Sequence, residues 1–288
     1  MKDKSAGSLV VVGTPIGNLE DMSPRAVRML READVIAAED TRRARKLLTH
    51  FAIAGPKVVS MFEGNEAARV AKLCEAMAAG ARVAVISDAG MPGISDPGER
   101  LVRAAIDGGM AVEVIPGPVA AMVALVGSGI ATQPMVFLGF LPRQRGERME
   151  ILGQRRTDPA TLILYEAPDR VAATVADLAE VLGSERPAAV CRELTKIHEE
   201  YLRDTLDGLR ETLSVRPPRG ECVIVVAGAE PGAHDNIDLE AELRSLLDAG
   251  LGPRDAAARL VARTGKPRRQ LYQLALSLRT ARDPQDPD

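Results

Sequence analysis

The sequence contains few of the side chains that metal sites and covalent catalysis require. Its three cysteines and three histidines are scattered over 288 residues. We therefore expect reduced core thiols, no bound metal and no histidine-centred acid–base chemistry. Tryptophan is absent, and the aromatic residues are three tyrosines and four phenylalanines. This scarcity nearly excludes a nucleic-acid surface made of rows of stacked aromatic rings.

Long apolar runs are also missing. The runs that start at Leu9 and Ala120 are far shorter than the roughly 20 residues that span a membrane, and the N-terminal residues lack the pattern of a secretory signal. We therefore expect a cytoplasmic protein without a membrane partner. The net charge of -3 excludes a uniformly basic nucleic-acid binder but permits local basic patches.

The hydrophobic pattern predicts an α/β protein. Short β-branched runs alternate with amphipathic helical stretches as far as about Val114, which is typical of βαβ units in a parallel sheet. Strands then follow one another more directly, which favours a mixed or antiparallel second sheet. We predict an N-terminal α/β domain over 1–116, a second α/β domain over 117–231, a helical module over 232–280 and a disordered tail over 281–288.

Nucleotide-binding and hydrolase motifs are absent. The turn after the first strand, GTPIGN from Gly13, is neither a dinucleotide fingerprint nor a P-loop. The chain also lacks a G-x-S-x-G nucleophile elbow. A nucleotide-dependent phosphotransferase and a hydrolase with a covalent intermediate are therefore disfavoured.

The stretch from Ile86 to Val102, ISDAGMPGISDPGERLV, is the most informative one. It places three glycines, two prolines and the aspartates Asp88 and Asp96 between a buried strand and a helix. Ordinary βα loops need only about 2–6 residues, and glycine lets the backbone approach a ligand closely. We interpret this stretch as a ligand-binding loop.

Three other stretches permit a functional and a purely structural interpretation. The turn from Gly13 to Ala26 lies where open α/β sheets bind ligands, but it could simply connect a strand to a helix. Glu39, Asp40 and Arg42 could orient a hydroxyl and accept its proton, or Asp40 could cap the next helix. The small residues after Pro116 could lie against a flat ring or only fill a buried helix.

In order and spacing, the strings TPIGNL, AEDTR, SDAGMPGISDPG and PGPVAA resemble the tetrapyrrole methylase-like superfamily. The resemblance is closest to its ribosomal RNA small subunit methyltransferase I branch, which methylates the ribose 2'-hydroxyl of a cytidine. Further matching strings, among them GFLPRQRGER and TLILYEAPDR, extend it over nearly the whole chain. One departure is Glu63, which stands where a known member has a histidine.

This resemblance implies two α/β domains with S-adenosylmethionine bound in the cleft between them, and a homodimer. It implies as substrate the 16S rRNA of the 30S ribosomal subunit rather than DNA. The residues that it implies for cofactor binding are Pro15, Ser87, Asp88, Ala89, Gly93, Ile94, Val119, Ala120, Glu166, Leu194, Glu221 and Cys222.

A ribose hydroxyl is a weak acid, so its methylation benefits from a proton acceptor. In the absence of a suitable histidine, we expect Asp40 to fill this role before Glu39 or Asp88, with Arg42 fixing a carboxylate or a phosphate. RNA binding must come from local basic clusters. The predicted RNA contacts are Arg143, Arg145, Arg148, Arg263, Lys266, Arg268 and Arg269.

Two other functions remain open from the sequence. A porphyrinoid methylase would use the same cofactor cleft, although it would have no use for a basic C-terminal module. A ribosome-assembly factor without catalytic activity would retain the cleft only as a vestige.

Overall fold

The computed structural model describes residues 7–230, 239–264 and 267–280. These residues form two five-stranded sheets with their helices and a three-helix module. Within these ranges, no helix has the length and apolar character needed to cross a membrane.

The first sheet is entirely parallel, as its hydrophobic runs predict, with the strand order β3-β2-β4-β1-β5. Its strands are β1 (Ser8–Val12), β2 (Val35–Ala38), β3 (Lys57–Ser60), β4 (Arg82–Ile86) and β5 (Ala111–Ile115). Its helices are α1 (Pro24–Arg31), α2 (Thr41–His50), α3 (Glu66–Ala78) and α4 (Glu99–Asp107), with a short 3-10 turn at Leu19–Asp21.

The strand order creates a crevice between β1 and β4. These neighbours lie side by side, but the chain leaves β1 towards β2 and leaves β4 towards β5, on the opposite side. In open α/β sheets, ligands bind outside the carboxyl ends of strands at such a switch in direction. The loops that follow Val12 and Ile86 therefore meet at the edge where a ligand is expected.

The second sheet is mixed, in agreement with the more direct succession of its strands. Its order is β6-β7-β10-β8-β9, and among its neighbouring pairs β6 and β7 run parallel while the others run antiparallel. The strands are β6 (Met135–Phe140), β7 (Thr161–Glu166), β8 (Pro187–Arg192), β9 (Glu200–Thr205) and β10 (Cys222–Val226). The helices are α5 (Ala120–Ser128), α6 (Arg145–Gly153), α7 (Val171–Leu182) and α8 (Leu206–Val215).

The two halves of the chain meet where α5 packs on the second sheet. Ala121 and Leu125 of α5 form an apolar cluster with that sheet, and Ile16 from the first loop joins the same cluster. Gly13 and Gly117 also touch through their backbones, since a Cβ atom built on Gly13 would lie 2.6 Å from the Gly117 Cα. Glycine at both positions is what permits this approach. The domain boundary at 116/117 stays a prediction.

The C-terminal module contains three helices: α9 (Leu239–Asp248), α10 (Pro253–Thr264) and α11 (Arg268–Thr280). They pack around an apolar centre that includes Leu243, Leu260 and Leu271. The predicted boundary at 231/232 and the predicted tail over 281–288 lie outside the described residues.

Candidate active site

Backbone hydrogen bonds join the two loops at the carboxyl edge of the first sheet. The Thr14 N–H donates to the Gly90 oxygen at 2.9 Å, and the Gly90 N–H donates to the Thr14 oxygen at 3.1 Å. The buried Ser87 hydroxyl donates to the same Gly90 oxygen at 3.2 Å. The turn after β1 and the long loop after β4 therefore form one wall.

The long loop holds an uncommon backbone that its composition makes possible. Gly90, Gly93 and Gly98 have φ values of +81°, +83° and +139°, and Ser95 has a φ of +63°. Left-handed φ values are cheap for glycine and costly for serine. The far end of the loop is fixed by Glu66, whose buried carboxylate accepts a hydrogen bond of 3.1 Å from the Gly98 N–H.

A cavity of about 380 Å³ lies between this loop and the second sheet. Apolar side chains and the Tyr165 ring supply much of its lining. It brings together eight of the residues that the resemblance implies for the cofactor: Ala89, Ile94, Val119, Ala120, Glu166, Leu194, Glu221 and Cys222. The cofactor roles of these residues stay predictions.

Among these eight residues, Glu166 and Cys222 have side chains that the fold leaves unreactive. The buried Glu166 carboxylate accepts hydrogen bonds from the Thr174 hydroxyl at 2.6 Å and the Ala167 N–H at 3.0 Å, and it pairs with Arg170. Burial raises the pKa of the Cys222 thiol to about 11, which keeps it protonated at neutral pH. Both residues thus shape the cavity without reactive side-chain chemistry.

Asp96 also lines this cavity, although the sequence interpretation gives it no role. Burial, followed by the charge of Glu39, raises the pKa of Asp96 to about 6. The repeated Ser-Asp pair, at 87–88 and again at 95–96, is the sequence signal that could have indicated it. When it is ionised, this carboxylate attracts a ligand that carries a positive charge.

A second cavity of about 320 Å³ adjoins the first and shares Ile16, Ala89 and Glu221 with it. Pro15, Ser87 and Asp88 line this second cavity, whereas Gly93 lines neither.

Asp88 is the carboxylate of the first sheet that faces this second cavity. Its Oδ1 accepts a hydrogen bond from the Asp40 N–H at 3.0 Å, and its Oδ2 lies 3.4 Å from Arg43 Nη1. Its side chain keeps 23% of its surface exposed. It is therefore within reach of a molecule in the cavity.

The structure places the expected proton acceptor Asp40 elsewhere. Its Oδ1 caps α2 by accepting from the Arg42 N–H at 2.7 Å, and its Oδ2 pairs with Arg42 Nη2 at 2.8 Å. These bonds hold the pKa of Asp40 well below its usual range. Asp40 lines neither of the two cavities, so the geometry favours Asp88 over Asp40 as the proton acceptor, and the catalytic role of either residue stays a prediction.

Glu39 and Arg42 also stay outside both cavities. Arg42 is occupied by its ion pair with Asp40. Glu39 is half-buried, and burial together with the charge of Asp88 raises its pKa. It therefore influences the site through its charge.

Three of the predicted RNA contacts, Arg143, Arg145 and Arg148, form a basic cluster at the start of α6, and one of them is buried. The Arg148 side chain is 7% exposed, and it pairs with the buried Asp177 at 2.6 Å. It also donates to the carbonyls of Pro142 and Arg143. Arg148 thus links α6 to α7. The prediction that it contacts RNA is wrong, because its side chain is buried.

Two arginines of this cluster stay on the surface. Arg145 bridges Asp177 and Glu180 at 2.8 and 2.6 Å, so its charge is largely compensated. Arg143 is exposed.

In the C-terminal module, Arg268 and Arg269 are exposed at the start of α11. Arg263 belongs to α10, but its side chain is not among those the structure describes, and Lys266 lies outside the described residues. The RNA roles of all four stay predictions.

Comparison with known proteins agrees with this geometry. Residues 8–210 match the sequence model of the Tetrapyrrole (Corrin/Porphyrin) Methylases, and residues 233–279 match the RsmI C-terminal HTH domain. The chain is 46% identical to ribosomal RNA small subunit methyltransferase I of Synechocystis sp., over 94% of this chain and 98% of that protein. It is 45% identical to the protein of the same name from Mycobacterium tuberculosis, over 96% of each.

A solved structure shares the fold of the two sheets. The uroporphyrin-III C-methyltransferase from Thermus thermophilus, in complex with S-adenosyl homocysteine, has a TM-score of 0.53 and 21% identity. The similarity covers 76% of this chain and 97% of that one. The two sheets and the cleft between them thus define a protein of the tetrapyrrole methylase class. Within that class, the chain belongs to the ribosomal RNA small subunit methyltransferase I family.

Proposed function

We propose that this protein transfers a methyl group from S-adenosylmethionine to the ribose 2'-hydroxyl of a cytidine in 16S rRNA. The observation that carries the proposal is the pair of adjoining cavities, one largely apolar with Asp96 in its wall and the other containing Asp88 and basic side chains. An adenosyl sulfonium suits the first cavity, and a ribonucleotide suits the second. The relatives named as rRNA methyltransferases support the same assignment.

The first cavity fits the cofactor in size and chemistry. Its volume lies in the usual range for small-molecule sites, about 300–1,000 Å³. Val119 and Ala120 offer small surfaces to a flat ring at the start of α5, and Asp96 offers charge to a cation. When bound, S-adenosylmethionine supplies a methyl group that its sulfonium has already activated.

Asp88 is the residue that we propose as the proton acceptor for the ribose hydroxyl. It faces the second cavity, beside the shared residue Ala89. The Asp40 N–H and Arg43 hold its carboxylate in place. A positioned base contributes about 10²- to 10⁴-fold to a proton-transfer step.

The C-terminal module supplies the proposed contact with the rest of the RNA. In a helix-turn-helix, the start of the second of its two helices contacts nucleic acid. The last two helices of the module are α10 and α11, and Arg268 and Arg269 are exposed at the start of α11. Arg143 adds a further exposed cation near the second sheet. We propose the 30S subunit as the substrate, the cytoplasm as the location and a homodimer as the working form.

Methyl transfer to ribosomal subunits tests this function. The protein should transfer label from S-adenosylmethionine to 30S subunits from a strain without the gene, and digestion should yield 2'-O-methylcytidine by mass spectrometry. Unrelated naked RNA should receive little label. Label on a base, or on a tetrapyrrole offered in parallel, would contradict the proposed acceptor.

A pair of variants separates the two aspartates in the same assay. Asp88→Asn should lower kcat by about 100-fold or more, because its amide can accept the Asp40 hydrogen bond but cannot take up a proton. Asp40→Asn should change kcat by less than about fivefold, since asparagine caps helices as well as aspartate does. Equal losses in both variants would remove Asp88 from the proposed role.

A further inference from the structure

The second cavity continues outwards along α2. It shares Gly17, Leu19 and Lys196 with an open groove of about 850 Å³, which reaches His50 and Phe51 at the end of the helix. One wall of the combined groove is α2, and the loop after β8 supplies Lys196 on the other wall. This path leads from Asp88 to the surface.

One face of α2 lines this path with basic side chains. Arg43, Lys46 and His50 are three and four residues apart, so they lie on the same side of the helix. They extend over about 10 Å of helix axis at roughly 1.5 Å per residue. Arg45 lies on the same helix but lines neither the cavity nor the groove.

The charges along this face differ in how far they are compensated. The Arg43 side chain is 64% exposed, at 3.4 Å from Asp88. Lys46 is exposed and makes no ion pair or hydrogen bond with the residues that the structure describes. Lys196, opposite, pairs with Glu193 at 2.9 Å and Glu221 at 3.0 Å. The exposed carboxylate Glu20 lines the outer groove, so the uncompensated positive charge lies at the inner end, where Lys46 favours an anionic ligand.

The outer end of the groove adds apolar surface. Ile197 is 94% exposed and Leu19 is 40% exposed. The Phe51 ring lies beside them, in edge contact with the His50 ring at 4.8 Å. An exposed His50 ring, the half-buried Phe51 ring and a nearby cation offer the stacking surface and the charge with which proteins bind unpaired bases and their phosphates.

We propose that this groove along α2 binds a single-stranded ribonucleotide segment next to the methylated residue, with a phosphate on Lys46. The inference rests on the proposed function and specifies how its substrate reaches the site. It adds a contact surface distinct from the arginines of the C-terminal module.

Two neighbouring variants, Lys46→Gln and Arg45→Gln, test the groove. Each removes one positive charge from the exposed surface of α2. Binding of the full-length protein to unmethylated 30S subunits is measured with S-adenosylhomocysteine over a range of KCl concentrations. Loss of one phosphate contact should reduce the slope of log K against log salt by about 0.7–0.9.

We expect that reduction for Lys46→Gln, an unchanged slope for Arg45→Gln and recovery with Lys46→Arg. Affinity for S-adenosylmethionine, measured by calorimetry, should be the same in all of them. Equal slopes for the glutamine variants would overturn the groove alone. Failure of the unaltered protein to bind subunits would overturn the proposed substrate together with the groove.

Discussion

At the scale of the residue, Asp96 connects cofactor affinity to pH. Its pKa of about 6 means that the carboxyl is ionised above that pH and neutral below it. The ionised form attracts a sulfonium cation, so this attraction is lost as the pH falls through 6. S-adenosylhomocysteine has a neutral sulfur and lacks this interaction.

We therefore expect the Kd for S-adenosylmethionine to rise by about tenfold between pH 7 and pH 5, because about a tenth of Asp96 stays ionised at the lower pH. The Kd for S-adenosylhomocysteine should change far less. Asp96→Asn should abolish the difference between the ligands, whereas Asp107→Asn, at an exposed position on α4, should preserve it. Parallel pH profiles for the two ligands would contradict this role.

Asp40, Asp88 and Asp96 show what residue patterns can and cannot predict. The position of Asp40 at a strand end indicates both a helix cap and a catalytic group, and the structure shows the cap. The orientation of Asp88 into a cavity depends on hydrogen bonds between distant segments. The environment of Asp96 depends on burial between two sheets, which local sequence does not encode.

At the scale of the element, the long loop after β4 depends on α3. Glu66 accepts the Gly98 N–H bond at the point where α4 begins. Since both residues are buried, removal of the carboxylate leaves an unpaired donor, which costs about 1–3 kcal/mol. The loop would also lose the attachment of its far end.

Glu66→Ala should accordingly lower the free energy of unfolding in urea by about 1–3 kcal/mol and weaken S-adenosylmethionine binding. Glu63→Ala is the matched control, because Glu63 is exposed three residues earlier, and it should change stability by less than about 0.5 kcal/mol. A cofactor affinity unaffected by Glu66→Ala would show that the loop holds its conformation without α3.

The elements themselves follow closely from the sequence. The alternation of β-branched runs and amphipathic stretches predicts the parallel sheet, and the glycines of the long loop predict its function in ligand binding. The groove along α2 could not be predicted from the sequence, because basic residues at these spacings are as typical of a solvent-exposed helix face as of a binding surface. The loop that brings Lys196 opposite Lys46 comes from a distant part of the chain.

At the scale of the whole molecule, the C-terminal module should contribute to RNA affinity without affecting the cofactor site. Arg268→Gln/Arg269→Gln should reduce the slope of log K against log salt for 30S binding by about 1.4–1.8, as two lost phosphate contacts require. The affinity of this double variant for S-adenosylmethionine, measured by calorimetry, should be unchanged.

A charge-matched control for this variant is Arg28→Gln/Arg210→Gln. Both arginines are exposed, and each pairs with a carboxylate, Arg28 of α1 with Glu32 at the end of that helix and Arg210 of α8 with Asp207. An equal slope change in this control would mean that net charge, rather than the helix start, governs binding.

The contact between Gly13 and Gly117 has a consequence for how the enzyme can move. At the base of the cleft, main chain meets main chain, and atoms at van der Waals separation cannot be compressed further. The two segments therefore cannot approach each other more closely at this point, which sets a lower limit on the width of the cleft there. Closure of the cleft around a bound nucleotide must consequently occur at its outer rim, where Lys196 and its carboxylate partners can rearrange by rotating single bonds.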